Sequence, residues 1–123
     1  MAGTLETGMV KHAKYGDIML SGKSGHKYCF QAWPFGTRFR PLGAVYFVTK
    51  RHFSNKNYRR ASHEVLYIGE TSSMSNPLAS NFQLEAFEKR GANCVCVCPA
   101  LDEEQRKTMV EDLIAGHRPT MQI

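Results

Sequence analysis

The chain has 123 residues, and its 16 lysines and arginines outnumber its 11 aspartates and glutamates to give a formal net charge of +5. This length predicts one domain with a single core, and contents of 42% hydrophobic and 11% aromatic residues exclude a disordered chain. No apolar run approaches the length of a membrane span, and the first residues have no hydrophobic signal region, so we expect a cytoplasmic protein with no membrane partner. The positive charge suits an anionic partner without requiring one.

The N-terminal part of the chain is predicted to contain a tail and a hairpin. Residues 1–16 show no clear hydrophobic period. Two segments with a strand-like composition, 17–20 and 27–33, flank a glycine-bearing loop, and this pattern is typical of a β-hairpin. We therefore divide the single domain into a possible tail at 1–16, an N-terminal hairpin at 17–41 and a core at 42–123.

Two further strands are predicted at 43–49 and 64–69, where Val, Ile, Tyr and Phe are frequent. The stretch between them is polar and basic, and we expect it to form a long exposed loop. Its cations are interleaved with Phe53 and Tyr58, which suits a nucleic-acid partner, although a solvated loop explains the same residues. The candidate nucleic-acid-binding residues are Lys50, Arg51, Arg59 and Arg60.

The first predicted helix follows the fourth strand. Asn76 is suited to cap it, and Pro77 suits the first helical position because its missing N–H group is not needed there. Gly91 is expected to end the helix. Its apolar residues recur at intervals of four and predict a buried stripe of Leu78, Phe82 and Ala86.

The second predicted helix starts at Asp102, with Gln105 three residues later as a variant of the capping box. Gly116 is expected to end it, and Pro119 prevents its continuation. Five residues follow the helical period, of which the last four are apolar: Arg106, Met109, Val110, Leu113 and Ile114.

Three cysteines alternate with valines between the two helices. Side chains two residues apart share one face of a strand, so Cys94, Cys96 and Cys98 line the same side. We interpret this segment as a buried strand in which cysteine acts as a small apolar residue. Metal binding or redox chemistry remains the alternative, although the one-residue gaps differ from the usual zinc-ligand spacing.

Two tyrosine triplets and a late helix bearing a glutamate appear in a characteristic order. The triplets are Ala44-Val45-Tyr46 and Tyr67-Ile68-Gly69, and the glutamate is Glu111. In this order the features resemble the GIY-YIG nuclease family, over residues 42–123. The resemblance implies an α+β fold in which a small, mainly antiparallel β-sheet is flanked by helices, and residues 17–41 would then form an N-terminal β-hairpin extension of that fold.

The resemblance also implies candidate catalytic residues. Tyr46 and Tyr67 match the two family tyrosines, one of which deprotonates or orients the attacking water. Glu111 matches the glutamate that holds a divalent metal, for which Mg²⁺ or Mn²⁺ is the expected cofactor. We therefore expect these three side chains to converge on one concave surface, with both tyrosine hydroxyls facing the cleft.

Three positions depart from the family pattern. Pro77 stands where the family's transition-state arginine is expected, Glu70 adds a carboxylate beside the phosphate, and Asn81 stands where related domains often place a histidine. Because an arginine in phosphoryl transfer contributes about 10³–10⁵ in rate, these departures predict a degenerate domain with little or no cleavage. Such a domain would act by binding nucleic acid, DNA rather than RNA, or a protein partner.

Two other functions remain open. An active divalent-metal-dependent endonuclease would need its catalytic cation from residues 50–63, where Arg59, Arg60 and His63 are the candidates. A regulator that shares the fold and has no nucleic-acid partner is the third possibility, since a fold does not determine a function.

Overall fold

The computed structural model describes residues 14–54, 57–75 and 82–122, with their side chains except at 53–54, 57–61 and 82–83. This part of the chain forms a small α+β fold with five strands and two helices, as the sequence predicts. In chain order the elements are β1 (Gly16–Ser21), β2 (Lys27–Pro34), β3 (Ala44–Ser54), β4 (Asn57–Thr71), α1 (Phe82–Lys89), β5 (Cys94–Pro99) and α2 (Glu103–His117).

The five strands form one antiparallel sheet in the order β1-β2-β5-β3-β4. The predicted N-terminal hairpin is β1–β2, and it adds two strands to one edge of the sheet formed by the core. It joins the sheet through β2, which pairs with β5 from Gln31↔Val97 to Pro34↔Cys94. The cysteine strand lies in the centre of the sheet, with β2 on one side and β3 on the other, and this explains its apolar composition.

The predicted loop after β3 is a β-hairpin instead. Strands β3 and β4 continue to pair as far as Ser54↔Asn57, with residues 55–56 outside the described residues. Strand β5 pairs with β3 only from Ala44 to Thr49, so the hairpin extends past the rest of the sheet. We call this extension, residues 50–54 and 57–64, the basic arm.

Helix α2 begins as the sequence predicts and ends slightly later. The Asp102 carboxylate accepts a hydrogen bond from the Gln105 backbone N–H at 2.8 Å, which caps the first turn. The helix continues past Gly116 to His117, and Arg118 then takes the left-handed conformation with φ of 48°. Its N–H donates to the Ile114 carbonyl, so this backbone bond ends the helix in place of a glycine.

Helix α1 is described from Phe82 onward, and its predicted start at Asn76 and Pro77 lies outside the described residues, as does Leu78. Gly91 follows the helix with a φ of +85°, as its predicted role requires. Its buried residue is Phe87, whereas the predicted Ala86 is only half-buried.

The two helices cover opposite faces of the sheet. Successive side chains of a strand point to opposite sides, so Val45 and Phe47 belong to one face and Tyr46 and Val48 to the other. The cysteine face packs against α2 and contains Phe30, Val45, Phe47, Ile68, Cys94 and Cys96, with Met109 and Leu113 from the helix. The tyrosine face packs against α1 and contains Tyr46, Val48, Leu66, Val95 and Val97, with Phe87 from the helix.

The segment after α2 runs beside β4, the edge strand. The backbone N–H groups of Thr120 and Met121 donate to the carbonyls of Val65 and Leu66, at 3.3 and 2.8 Å. The Gln122 side chain accepts from the Ile68 N–H at 3.0 Å and donates to the Ile68 carbonyl at 2.9 Å.

Over the described ranges, no helix is both long and apolar enough to cross a membrane.

Candidate functional site

The two motif tyrosines lie side by side on the tyrosine face. The ring centroids of Tyr46 and Tyr67 are 6.1 Å apart, and Tyr67 contacts Phe87 of α1 at 5.6 Å. Gly69 lies opposite Tyr46 in the β3–β4 register. A Cβ atom at Gly69 would lie 2.7 Å from the Tyr67 ring and 2.8 Å from the Tyr46 Oη. The glycine of the second triplet is therefore required by the packing of the two tyrosines.

The Tyr46 hydroxyl is placed as a packing group rather than as a base. The side chain is buried, with 4% exposure. Burial, followed by the neighbouring Tyr67 and Glu70, raises the pKa of Tyr46 well above its ordinary value. Among the residues that the structure describes, none forms a hydrogen bond to this hydroxyl. The buried environment of Tyr46 therefore disfavours its phenolate form.

Glu111 does not join the tyrosines, so the predicted convergence of the three residues is wrong. Glu111 lies on α2, which covers the cysteine face, whereas Tyr46 and Tyr67 lie on the tyrosine face. Its carboxylate is exposed and borders an open surface depression together with Lys23 and Tyr28 of the β1–β2 hairpin. The sheet separates the candidate metal ligand from the candidate catalytic tyrosines.

Glu70 also has a different environment from the expected one. Its Oε1 accepts a hydrogen bond from Nε of Arg106 at 2.7 Å, in an ion pair whose arginine is 5% exposed. The Arg106 Nη1 donates to the carbonyls of Ala100 and Leu101 at 3.0 and 2.9 Å. The Glu70 charge is therefore balanced by a buried arginine. An arginine within the apolar stripe of α2 was the sequence signal for such a pair.

Asp112, the neighbour of Glu111, links α2 to the β1–β2 hairpin. Its carboxylate accepts hydrogen bonds from the Ser24 N–H at 2.8 Å, the Ser24 Oγ at 2.7 Å and the Tyr28 Oη at 2.9 Å. The bonds from Ser24, followed by the one from Tyr28, lower the pKa of Asp112. This carboxylate has a structural role that the sequence did not suggest.

The base of the basic arm is held by several contacts. The Arg51 guanidinium lies 4.1 Å from the centre of the Tyr15 ring. The Asn93 side chain accepts from the Arg51 N–H at 2.6 Å and donates to its carbonyl at 3.0 Å. Lys50 is half-buried, with its aliphatic stem over Gly91.

The side chains of four residues that the sequence analysis singled out lie outside the described residues, namely Arg59, Arg60, Pro77 and Asn81.

Three potential metal ligands meet on the cysteine face at the base of the same arm. One ligand atom each from His63, Cys94 and Cys96 lies within 4.8 Å of the other two, and no other group of three metal-ligand side chains of this kind occurs in the described part of the chain. The two sulfurs are 4.0 Å apart. The Thr49 Oγ1 lies 2.9 Å from the His63 Nδ1, at hydrogen-bond distance. The sequence left metal binding by the cysteines open but did not suggest His63 as a ligand, because this residue belongs to a strand far from the cysteines in the chain.

Comparisons with protein-family models, curated proteins and solved structures find no match to this chain. Its function must therefore be inferred from the chemistry and placement of these groups.

Proposed function

We propose that the protein is a GIY-YIG-like domain that binds nucleic acid through the basic arm and cleaves it little or not at all. One observation carries the proposal. The β3–β4 hairpin continues past the last pair that β3 makes with β5, and it carries basic residues on both of its strands. These residues are Lys50, Arg51, Arg59 and Arg60, the nucleic-acid-binding set expected from the sequence.

The shape of the arm favours DNA over RNA. A strand rises about 3.3 Å per residue, so residues 50–54 extend roughly 16 Å from the sheet. An antiparallel ribbon of two strands fits the major groove of B-form DNA, which is about 12 Å wide. The major groove of A-form RNA is deep and narrow, so it excludes such a ribbon.

Three features argue against cleavage. The sheet lies between Glu111 and the tyrosines, so a metal held by Glu111 would not reach a phosphate beside Tyr67. The raised pKa of Tyr46 keeps its hydroxyl protonated. Pro77 supplies no cation at the position of the family's arginine. A metal-dependent hydrolysis needs these groups around one phosphate, and the described geometry does not favour the active-nuclease alternative.

Binding is tested by a salt titration of fluorescence anisotropy with matched DNA and RNA duplexes. If about four arm cations contact phosphates, log affinity falls with log salt at a slope near −3.6 for DNA. The double variant Arg59→Gln/Arg60→Gln should reduce this slope to about −1.8. The control is Lys89→Gln/Lys107→Gln, which removes the same charge from exposed helical ion pairs. No binding at low salt, or equal losses in both double variants, contradicts the proposal.

Cleavage is tested with supercoiled plasmid in the presence of Mg²⁺ or Mn²⁺. We expect no nicking by the unmodified protein. Pro77→Arg should also remain inactive, because it restores the cation while Glu111 stays on the other face. Nicking by the unmodified protein that Glu111→Ala abolishes would show that Glu111 acts in catalysis, and the active-nuclease alternative would then be correct.

A further inference from the structure

We propose that His63, Cys94 and Cys96 form a binding site for a single zinc ion at the base of the basic arm. The three ligands come from two strands, since His63 belongs to β4 and the cysteines to β5, with β3 between them. This inference rests on the side-chain cluster alone and is independent of nucleic-acid binding.

The distances between the potential ligand atoms fit a zinc ion. With Zn–S bonds of about 2.3 Å and tetrahedral angles, two sulfurs coordinated to one zinc lie about 3.8 Å apart. The Cys94 and Cys96 sulfurs are already 4.0 Å apart. The third ligand atom, from His63, is within 4.8 Å of both. Because the His63 side chain is half-exposed, its ring is able to move the remaining distance of about an ångström.

The two thiols of the cluster interact with each other and with the side chains of His63 and Thr49. A hydrogen bond with Cys96 lowers the pKa of the Cys94 thiol, opposed by burial and assisted by bonds from His63 and Thr49. The bond with Cys94 and burial raise the pKa of Cys96. Zinc coordinates cysteine in its thiolate form, so binding of the ion releases the protons of the two thiols.

Thr49 completes the surroundings of the histidine. Its side chain is 1% exposed, and its hydroxyl lies at hydrogen-bond distance from the His63 ring. A hydrogen bond to a ligating histidine fixes the orientation of the ring, as in many zinc sites. Thr49 is also buried among apolar residues of the cysteine face, and its hydroxyl has its partners there in His63 and the Cys94 thiol.

The donor atoms select the class of metal. Two sulfurs and one imidazole suit Zn²⁺, whereas Mg²⁺ and Mn²⁺ prefer oxygen ligands. Three protein ligands leave a fourth tetrahedral position for water or another small ligand. The half-exposed His63 provides the path by which the ion enters, since Cys94 and Cys96 are themselves buried.

The test uses the full chain, purified in reduced form and without metal. Zn²⁺ is added, and bound metal is counted by elemental analysis and native mass spectrometry. Co²⁺ then replaces Zn²⁺, so that sulfur-to-cobalt charge transfer reports the number of thiolate ligands. The ligand variants are Cys94→Ser, Cys96→Ser and His63→Ala. The matched controls are Cys98→Ser, on the same strand and face, and Cys29→Ser, at an exposed position.

We expect about one zinc per chain, tetrahedral cobalt spectra with two thiolates, and binding that weakens as protons compete at lower pH. Each ligand variant should lose at least about tenfold in affinity, while both controls bind like the unmodified protein. His63→Ala changes a half-exposed position, so it tests the site even if a cysteine variant fails to fold, and circular dichroism checks the fold of each protein.

Several results would overturn the zinc site. The first is binding of less than about 0.1 zinc ion per chain. The second is a loss of affinity in Cys98→Ser as large as that in the ligand variants, and the third is a cobalt spectrum without thiolate charge transfer. Preference for Cu⁺ with no zinc bound would also overturn it. A disulfide between Cys94 and Cys96, with no metal bound after reduction, would assign the pair to redox chemistry instead.

Discussion

The two faces of the sheet use polar side chains in opposite ways. On the tyrosine face, Tyr46 and Tyr67 pack against each other, and the Tyr46 hydroxyl is buried and neutral. On the cysteine face, Arg106 is ion-paired inside the core and the thiols of Cys94 and Cys96 meet an imidazole. The two tyrosines that a family resemblance marks as catalytic are packed together, and the strand that composition marks as apolar contains two of the three potential metal ligands.

The largest effect is expected from the buried ion pair of the cysteine face. Arg106→Met leaves the partly exposed Glu70 and the carbonyls of Ala100 and Leu101 without their donor, and the loss of these hydrogen bonds costs about 3 kcal/mol of unfolding free energy. Lys107→Met is the matched control, because its pair with Glu103 is exposed and solvent screens it, so its loss should change stability little. Urea unfolding measures both. Equal effects would mean that the Arg106 pair contributes no more than a surface pair.

The tyrosine face should be most sensitive at Gly69. A methyl group added by Gly69→Ala would overlap the Tyr67 ring and the Tyr46 hydroxyl, and overpacking of this kind costs about 1–3 kcal/mol. Adding Tyr46→Phe removes the contact with the hydroxyl at 2.8 Å and leaves the one with the ring Cζ at 2.9 Å, so the double variant should recover a small part of the loss. Urea unfolding of the two single variants and the double variant gives the coupling energy. Purely additive effects would contradict the packing explanation of the glycine.

A smaller effect is expected from Tyr46→Phe alone. Within the described residues the hydroxyl has no hydrogen-bond partner, so its removal should change the unfolding free energy by less than about 1 kcal/mol. DNA affinity should not change. A loss above tenfold in affinity with normal stability would instead indicate that this hydroxyl contacts the ligand.

The substitution Asp112→Asn is expected to change stability least at neutral pH. The informative measurement for this variant is how its stability changes as the pH is lowered. The folded-state pKa of this carboxylate lies below the ordinary value of 3.8, because Ser24 donates two hydrogen bonds to it. A lowered pKa contributes stability that is present above the unfolded value and is lost as the pH falls through the folded value. Thermal unfolding should therefore show stability decreasing below about pH 4, and this decrease should be smaller in Asp112→Asn. An unchanged acid profile would mean that the Ser24 bonds do not perturb the carboxylate.

Much of the fold follows from local sequence signals. Asp102 with Gln105 marked the start of α2, and the apolar period of that helix identified Met109 and Leu113 as its buried residues. The arm was missed because its polar, basic sequence lacks the alternation of apolar and polar residues that predicts a half-buried strand. The glycine-bearing hairpin was found, but its integration into the sheet depends on β2 pairing with β5, which no local pattern encodes.

The candidate site was less predictable than the fold. The order of the tyrosine triplets and the glutamate in the sequence predicts that Glu111 lies on the last helix. It does not predict which face of the sheet that helix covers. The helical phase contained part of the answer, because Met109 and Leu113 point inward and Glu111 lies between them on the outer side. The approach of His63 to Cys94 depends on register across three strands, so it is a property of the tertiary structure alone.

The contacts of residues 120–122 with β4 also affect how copies of the protein behave toward one another. The edge of a sheet is a template on which a strand from a second molecule can add. Here the carbonyls of Val65 and Leu66 and both backbone groups of Ile68 are already bonded within the chain. The Gln122 side-chain amide forms the two hydrogen bonds that a neighbouring strand would otherwise form with Ile68. Residues 65–68 of β4 are therefore blocked from pairing with a strand of a second molecule.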